Sequence, residues 1–368
     1  FGFEPQVFEQ APDLLEVGAA ILMWPNAIRV LQRLGLAETI CRRGGILEQG
    51  CWLNRDGRLI KQFRLPKFAA PALALHRAEL QRALLDALPR DWIHLGHVFE
   101  TYEQSPGEIL VHFGNRSPFA SDVLIAADGI HSRARTQLLN DGPPPDRGYL
   151  AWRGVVPYTP ALITPATAIE IYGPGRRFGI GPLGSGRVGW WASANESLSS
   201  TEAGNTQDEL LRLFDGWWEP VVELIQATPL SSLVRNTVCD RRPRRGWGTG
   251  AMTLLGDAIH PTTPNLGQGG CLAIEDAAVL AHCLQKYAAD RHPDLRSQIS
   301  SALRRFENLR YSRTAAMARY SRVYGTIGQW EGPPAVRLRR LGQSLLPAIV
   351  IERFLQALFR YDANAVRI

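Results

Sequence analysis

The sequence predicts an α/β fold in which a nucleotide-binding domain is interleaved with a β-sheet domain and followed by C-terminal helices. Three patterns carry that expectation. Strands and helices alternate early in the chain and again from Ala251 to Leu284. A glycine-punctuated, β-rich block lies between, and nearly everything after Gly269 has helical periodicity.

PQVFEQ reads as a strand ending at Glu9, with a turn at Ala11-Pro12-Asp13. Pro25 to Leu34 sets Ala27, Leu31 and Leu34 on one helical stripe and stops at Gly35. Cys51 to Leu65 alternates about the turn Asn54 to Gly57, which predicts a hairpin. His76 to Leu88 returns to helix, with Leu80, Leu84 and Leu88 on one face and Pro89 closing it. Val123 to Ala127 is a continuous apolar run ending in Asp128-Gly129, the pattern of a strand buried on both faces. Pro143 to Pro145 reads as a connector, and residues 149–195 are strand-like, with aromatics at Trp152, Tyr172, Phe178, Trp190 and Trp191. Gln207 to Gln226 is helical, while Leu233 to Cys239 and Ala251 to Leu255 read as strands. LLPAIVIERFLQALF is an amphipathic helix interrupted by Glu352 and Arg353, expected to pack on the nucleotide-binding domain.

Composition excludes several classes. Hydrophobic residues are 45% and charged residues 21%, ordinary for a soluble globular enzyme. No run of about 18 apolar residues occurs, which disfavours a membrane span; for the apolar C-terminal helices, packing on the nucleotide-binding domain is expected ahead of a membrane or dimer contact. The net charge is +6, but Lys occurs only at 61, 67 and 286, and Arg is scattered. The dense run Arg241, Arg242, Arg244 and Arg245 reads as a solvated loop; without interleaved aromatics it does not make a nucleic-acid surface. Five cysteines without a CxxC pair and eight isolated histidines predict no metal site and a reducing, cytoplasmic setting. No signal peptide is visible after Phe1. Monomer and homodimer are both compatible with the sequence.

The chemistry-bearing residues begin with Glu9, at a strand end where a Rossmann-like domain places the acid that binds ribose hydroxyls. A strand-end glutamate can equally be solvated. The glycine fingerprint that precedes such an acid by about 20 residues is absent within the chain and is expected before Phe1. Neither Gly181-Pro-Leu-Gly184 nor Gly267-Gln-Gly269-Gly270 has its spacing. Asp128-Gly129 follows a buried strand, either as a ligand site or as a plain exit turn.

The segment Thr253 to Cys283 is the most telling. Its strand leads into Gly256-Asp257; Pro261 and Pro264 stiffen a loop; Gly267 to Gly270 then opens a helix that is apolar almost all round. A helix N-terminus offers unpaired amides and favours negative charge by about 0.3–1 kcal/mol, and glycines admit an aromatic ring system against the backbone. These features suit a reduced flavin.

These motifs resemble those of FAD-dependent aromatic hydroxylases of the p-hydroxybenzoate hydroxylase type, near the salicylate hydroxylase and zeaxanthin epoxidase branch. VFEQAP, VGAAILMWPNAIRVLQRLGL, HRAELQRAL, AADGIHSRAR, YLAWRGVVP, GDAIHPTTPNLGQGGCLAIEDA and FRYDA cover nearly the whole chain. The resemblance implies a Rossmann-like FAD-binding domain of residues 1–50, 76–145 and 240–285. A β-sheet substrate domain of 51–75 and 146–239 and a helical region of 286–368 complete it. Glu9 would hold the adenosine ribose, Arg77 would contact the cofactor, and the Val98 backbone would lie near adenine. Asp128 and Gly129 would serve FAD and the pyridine nucleotide. Gly256 and Asp257 would bind the ribityl and pyrophosphate region. Pro264 would face the reactive flavin edge, with Asn265 beside it, and Leu266, Gly267, Gln268 and Gly269 would line the pyrimidine edge.

Three departures accompany the resemblance: the missing fingerprint, Leu15 where relatives often carry a cofactor-contacting Arg, and Asn265 where salicylate hydroxylases have a basic His. No WxWxIP stretch appears, which disfavours a halogenase. Tyr172, Phe178 and Trp191 are candidates to wall an apolar or aromatic substrate pocket; at alternating strand positions they could equally be core. The implied activity is NADH- or NADPH- and dioxygen-dependent hydroxylation of an aromatic or heteroaromatic small molecule through a flavin hydroperoxide. The alternatives are alkene epoxidation and a non-catalytic relative that has lost FAD.

Overall fold

Alternating residues through the β-rich block build one seven-stranded sheet. The computed structural model describes residues 3–14, 19–114, 116–199, 205–288 and 295–368. The sheet runs Val234–Cys239, Asp146–Val156, Arg187–Asn195, Arg176–Gly184, Thr167–Gly173, Gln49–Asn54, Leu59–Arg64. Neighbours are antiparallel except Thr167–Gly173 with Gln49–Asn54. The expected hairpin is present, and Gly57 supplies the φ of 80° its turn requires.

Period-two alternation gives the sheet two unlike faces. Trp152, Ile169, Ile171, Phe178, Ile180 and Trp190 form an apolar core beneath the helices Thr206–Leu213 and Glu219–Ala227. The register puts Tyr149, Arg153, Glu170, Tyr172, Arg177 and Trp191 on the opposite face. Phe178 is therefore not a pocket wall: it is fully buried, and its ring stacks on Trp190 at 5.1 Å.

Other expectations are corrected by local physics. The helical stretch expected over Gln207 to Gln226 divides into two helices, because Gly216 adopts a φ of 68° and Pro220 starts the second. The helix after His76 ends at Leu85, leaving Leu88 exposed beyond it. Leu124 and Ile125 are only half-buried, since their strand lies at the edge of a three-stranded sheet and pairs in parallel with Met252–Leu254 alone among the described residues. Arg241 is buried rather than solvated, held by Asp141 at 3.1 Å and the Gly142 carbonyl at 2.7 Å.

Short parallel pairs, Val7–Phe8 with Ile93–His94 and Leu124–Ala126 with Met252–Leu254, end at Glu9, Asp128 and Asp257. A separate sheet joins Ala20–Met23, Ala72–His76 and Gly45–Leu47. Helix Gly269–Ala288 packs against Pro25–Arg33 and the long helix Leu295–Gly328; Pro333–Leu345 and Ala348–Phe359 follow. Among the described residues no helix is long and apolar enough to cross a membrane.

Replacing Phe178 by Ala deletes a ring from this dense core, and we expect a stability loss of about 3–5 kcal/mol in urea unfolding. Substrate KM should stay near wild type; a large KM change with intact stability would return Phe178 to the pocket.

Candidate active site

The loop from Gly256 to Gly270 is shaped by close approach. Gly256 and Gly267 both adopt a φ of 60°, which few other residues tolerate. A side chain at Gly267 would collide with Leu22 at 2.6 Å, so the loop lies directly on the strand Ala20–Met23. Trp24 Nε1 donates to the Leu266 carbonyl at 3.0 Å. Gln268, expected beside a ligand, turns its side chain into the protein, where its Oε1 accepts from Asn26 Nδ2 at 3.1 Å. Its backbone stays with Gly269 at the helix start, where the first amides have no partner inside the helix.

A buried charge network fixes this loop. Asp276 Oδ2 accepts from the Gly256 amide at 3.1 Å and lies 2.6 Å from His260 Nε2, while Arg310 Nε donates to Oδ1 at 2.6 Å. Arg310 also donates to Glu275 at 2.7 Å, and Arg313 to the same carboxylate at 3.1 Å. Glu275, Asp276 and Arg310 are wholly buried. Burial alone would raise the Asp276 pKa, but His260 and Arg310 hold it below its ordinary value.

Asp257 opens to the cleft while enclosed by protein atoms. That enclosure pushes its pKa up, against the pull of His260 and Arg77. A side chain at Gly269 would stand 3.6 Å from Thr262 Oγ1 and 3.8 Å from Asp257 Oδ1, so these groups border one space. Asp128 caps the helix Arg133–Leu139, accepting from Ala134 N at 3.2 Å, and Gly129 turns with a φ of 78°. Arg135, which sequence reasoning missed, donates to the carbonyls of Ala258 and Ile259 at 3.1 and 2.7 Å and so ties the Asp128 segment to the Asp257 loop.

At the far end Glu9 Oε1 accepts from Ala11 N at 2.8 Å. The His97 amide donates to the Glu9 carbonyl at 2.9 Å, which brings the exposed Val98 segment alongside. A cleft of about 570 Å³ runs along the helix that starts at Arg77, lined by Leu14, Ala78, Gln81, Leu85 and Ile93. Leu15 lies outside the described residues. Arg153, also missed, has no carboxylate or carbonyl partner among the described residues, and burial followed by the nearby Arg77 lowers its pKa. Arg77, close enough to pull on Asp257, with Arg153 near it and the backbone amides of the helix start, fits a cofactor carrying a pyrophosphate and a ring that gains negative charge.

Pro264 is exposed at the loop tip, and Asn265 turns toward the open face of the sheet. Asn265 Nδ2 donates to Tyr149 Oη at 3.0 Å, Thr263 Oγ1 at 2.8 Å and the Ser321 carbonyl at 3.0 Å. Its Oδ1 accepts from Arg177. Gly325 makes room for it: a Cβ there would lie 2.3 Å from Asn265 Nδ2. Arg177 also donates to Glu170 at 3.1 Å and to Gln329 at 2.9 Å, and its guanidinium sits over Trp191. Tyr324 Oη donates to Glu170 at 2.5 Å and lies 2.5 Å from Tyr172 Oη. Burial, then Glu170, raises both tyrosine pKa values well above the usual range, so both stay neutral. Of the three pocket candidates, Tyr172 and Trp191 face this cluster. Arg177, Glu170 and Tyr324 gave no sequence signal, because no local motif surrounds them.

A family model for the FAD binding domain matches residues 7–295. The chain is 37% identical over 342 residues to aurachin C monooxygenase/isomerase of Stigmatella aurantiaca, covering 92% of this chain and 87% of that protein. It is 34% identical over 331 residues to 3-amino-4-hydroxybenzoate 2-monooxygenase of Streptomyces cremeus, covering 87% and 80%. The structure of Klebsiella pneumoniae HpxO complexed with FAD and uric acid superposes with a TM-score of 0.86 at 29% identity, covering 96% of this chain and 90% of that one. The chain belongs to the FAD binding domain family. It is an FAD-dependent monooxygenase, an oxidoreductase whose cofactor is FAD.

Arg310→Met leaves two buried carboxylates short of a counter-charge, and should cost about 3–5 kcal/mol by urea unfolding. Because the folded-state pKa of Asp276 is depressed, its contribution is present above the carboxylate range and lost as pH falls through it. Wild-type stability should therefore decline below about pH 4, and Asp276→Asn should flatten that decline.

Proposed function

We propose that this chain uses NADH or NADPH and dioxygen to hydroxylate an aromatic or heteroaromatic small molecule, and that it divides at the boundaries expected from the sequence. The observation that carries the reading is the junction at Asn265. Here the Pro264 loop meets Arg177, Glu170, Tyr172 and Tyr324 on the open face of the sheet. Bound FAD would supply the redox chemistry, and the chain would supply position, charge and exclusion of water.

Glu9, Arg77 and the Val98 backbone would hold the adenosine half, with Gln81 along the same cleft. Asp257, Gly256 and Arg153 would take the middle of the cofactor, and Asp128-Gly129 would serve FAD and the pyridine nucleotide. Pro264 and the backbone of Leu266 to Gly269 would face the ring. The substrate would lie over Gly181, where a Cβ would meet nothing within 4 Å, beside Trp191. Arg177, buried and already paired with Glu170, would hold Asn265 and Trp191 in place beneath the substrate, while Tyr172 and Tyr324 would stay neutral rather than act as bases.

Asn265 cannot accept a proton, and the cluster around it contains no histidine among the described residues. That specifically favours a second reading, epoxidation of an alkene, which needs no phenol deprotonation.

The purified protein should be yellow with stoichiometric FAD and should oxidise NADH or NADPH faster when substrate is added. Failure to bind added FAD, together with no dioxygen consumption, would sink the reading. Asp257→Ala should weaken FAD retention about tenfold or more, the scale of one charge-assisted hydrogen bond, with little change in melting. Wild-type FAD affinity in that variant would remove Asp257 from the site. Gly181→Val should raise substrate KM while FAD content stays constant. An unchanged KM would move the substrate elsewhere.

A further inference from the structure

We propose that the helices Pro333–Leu345 and Ala348–Phe359 form a docking face for an anionic lipid bilayer surface. Leu338, Leu341 and Leu345 stand at helical spacing and are 61%, 54% and 69% exposed. Ile349, Val350 and Phe354 continue the strip on the next helix at 51%, 47% and 40%. Tyr320, Val323 and Ile327 add an exposed stripe on the long helix, and the Tyr320 and Phe354 rings meet at 5.7 Å, so the stripes adjoin. An apolar surface this continuous marks an interaction site rather than scattered exposure. Leu358 and Phe359 are buried in the cluster around Trp24, Ile351 is buried too, and both helices also contact the strand Leu59–Arg64, but the six exposed side chains pack against nothing in this core.

Charge decides the occupant. From Pro333 to Arg360 the chain carries five arginines (337, 339, 340, 353 and 360) and one acid, Glu352, a net +4 within a chain total of +6. Arg339 is buried and the other four are exposed. Glu352 Oε1 is already occupied, accepting from the Arg64 amide at 3.0 Å. A twofold interface between copies would set this face on itself, with one carboxylate, Glu352, against four exposed arginines on each copy. A bilayer with acidic headgroups supplies both missing complements, negative charge and an apolar layer at shallow depth. At 13 and 12 residues the helices are too short to span but suited to lying in the interface.

Flotation of the FAD-loaded full chain with phosphatidylglycerol or phosphatidylcholine vesicles tests this. We expect capture by phosphatidylglycerol that salt weakens, and little capture by phosphatidylcholine. Changing Leu338, Leu341 and Leu345 together to Ser should reduce binding roughly a hundredfold. Arg337→Gln with Arg340→Gln should reduce it roughly fivefold per arginine. Both variants should keep wild-type FAD content, and if the serine variant fails to fold the arginine pair carries the test. No capture by phosphatidylglycerol, or capture unchanged in the folded variants, overturns the proposal. A concentration-dependent dimer that the serine variant dissociates, without vesicle binding, would assign the face to a second copy instead.

Discussion

The position of the loop from Gly256 to Gly270 depends on Arg310. Its guanidinium bridges Glu275 and Asp276 on the buried helix, and Asp276 in turn holds the Gly256 amide and His260. Desolvating three charges costs about what their attraction returns, so the network contributes geometry more than net stability. An apolar replacement could fill the volume but could not fix where the strand Met252–Leu254 delivers Asp257. The closing FRYDA segment completes the arrangement: Tyr361 places its ring 5.1 Å from Arg310 and 4.9 Å from Arg313.

Close packing of small residues does for the open face of the sheet what buried charge does for the loop from Gly256 to Gly270. Gly325 lets the long helix approach Asn265, and Gly328 lets it approach Arg177, where a Cβ would come within 2.7 Å of Nε. Gly179 admits the Trp191 indole flat against its strand. Each contact brings a bulky or charged group onto the open face without a void, so side-chain substitutions here act on shape before chemistry.

What could be read from the sequence tracks how locally each feature is encoded. The strand ends at Glu9, Asp128 and Asp257 and the glycine-opened helix depend on neighbours within a few residues, and their elements form much as expected. Arg177, Glu170 and Tyr324 come together across separations of up to 154 residues, which no periodicity reveals. Phe178 and Trp191 show the limit well. Both lie in aromatic-rich strands, and only the parity of the register separates core from cleft. The break at Gly216 and Pro220 was written in the sequence, but helical spacing on both sides concealed it.

The C-terminal helices brace both halves of the site at once. Phe359 stacks on Trp24 at 4.5 Å, and Trp24 holds the Leu266 carbonyl of the loop from Gly256 to Gly270. Arg339 donates to the carbonyls of Gly328 and Gly173 at 2.5 and 2.8 Å and lies over the Tyr172 ring. One helix pair thus touches the supports of the Gly256 to Gly270 loop and of the Arg177 cluster, while its outer face remains apolar and basic. Arg339 therefore ties the helix Pro333–Leu345 to the strand Thr167–Gly173 and to the end of the long helix, directly beneath the ring whose hydroxyl meets Tyr324.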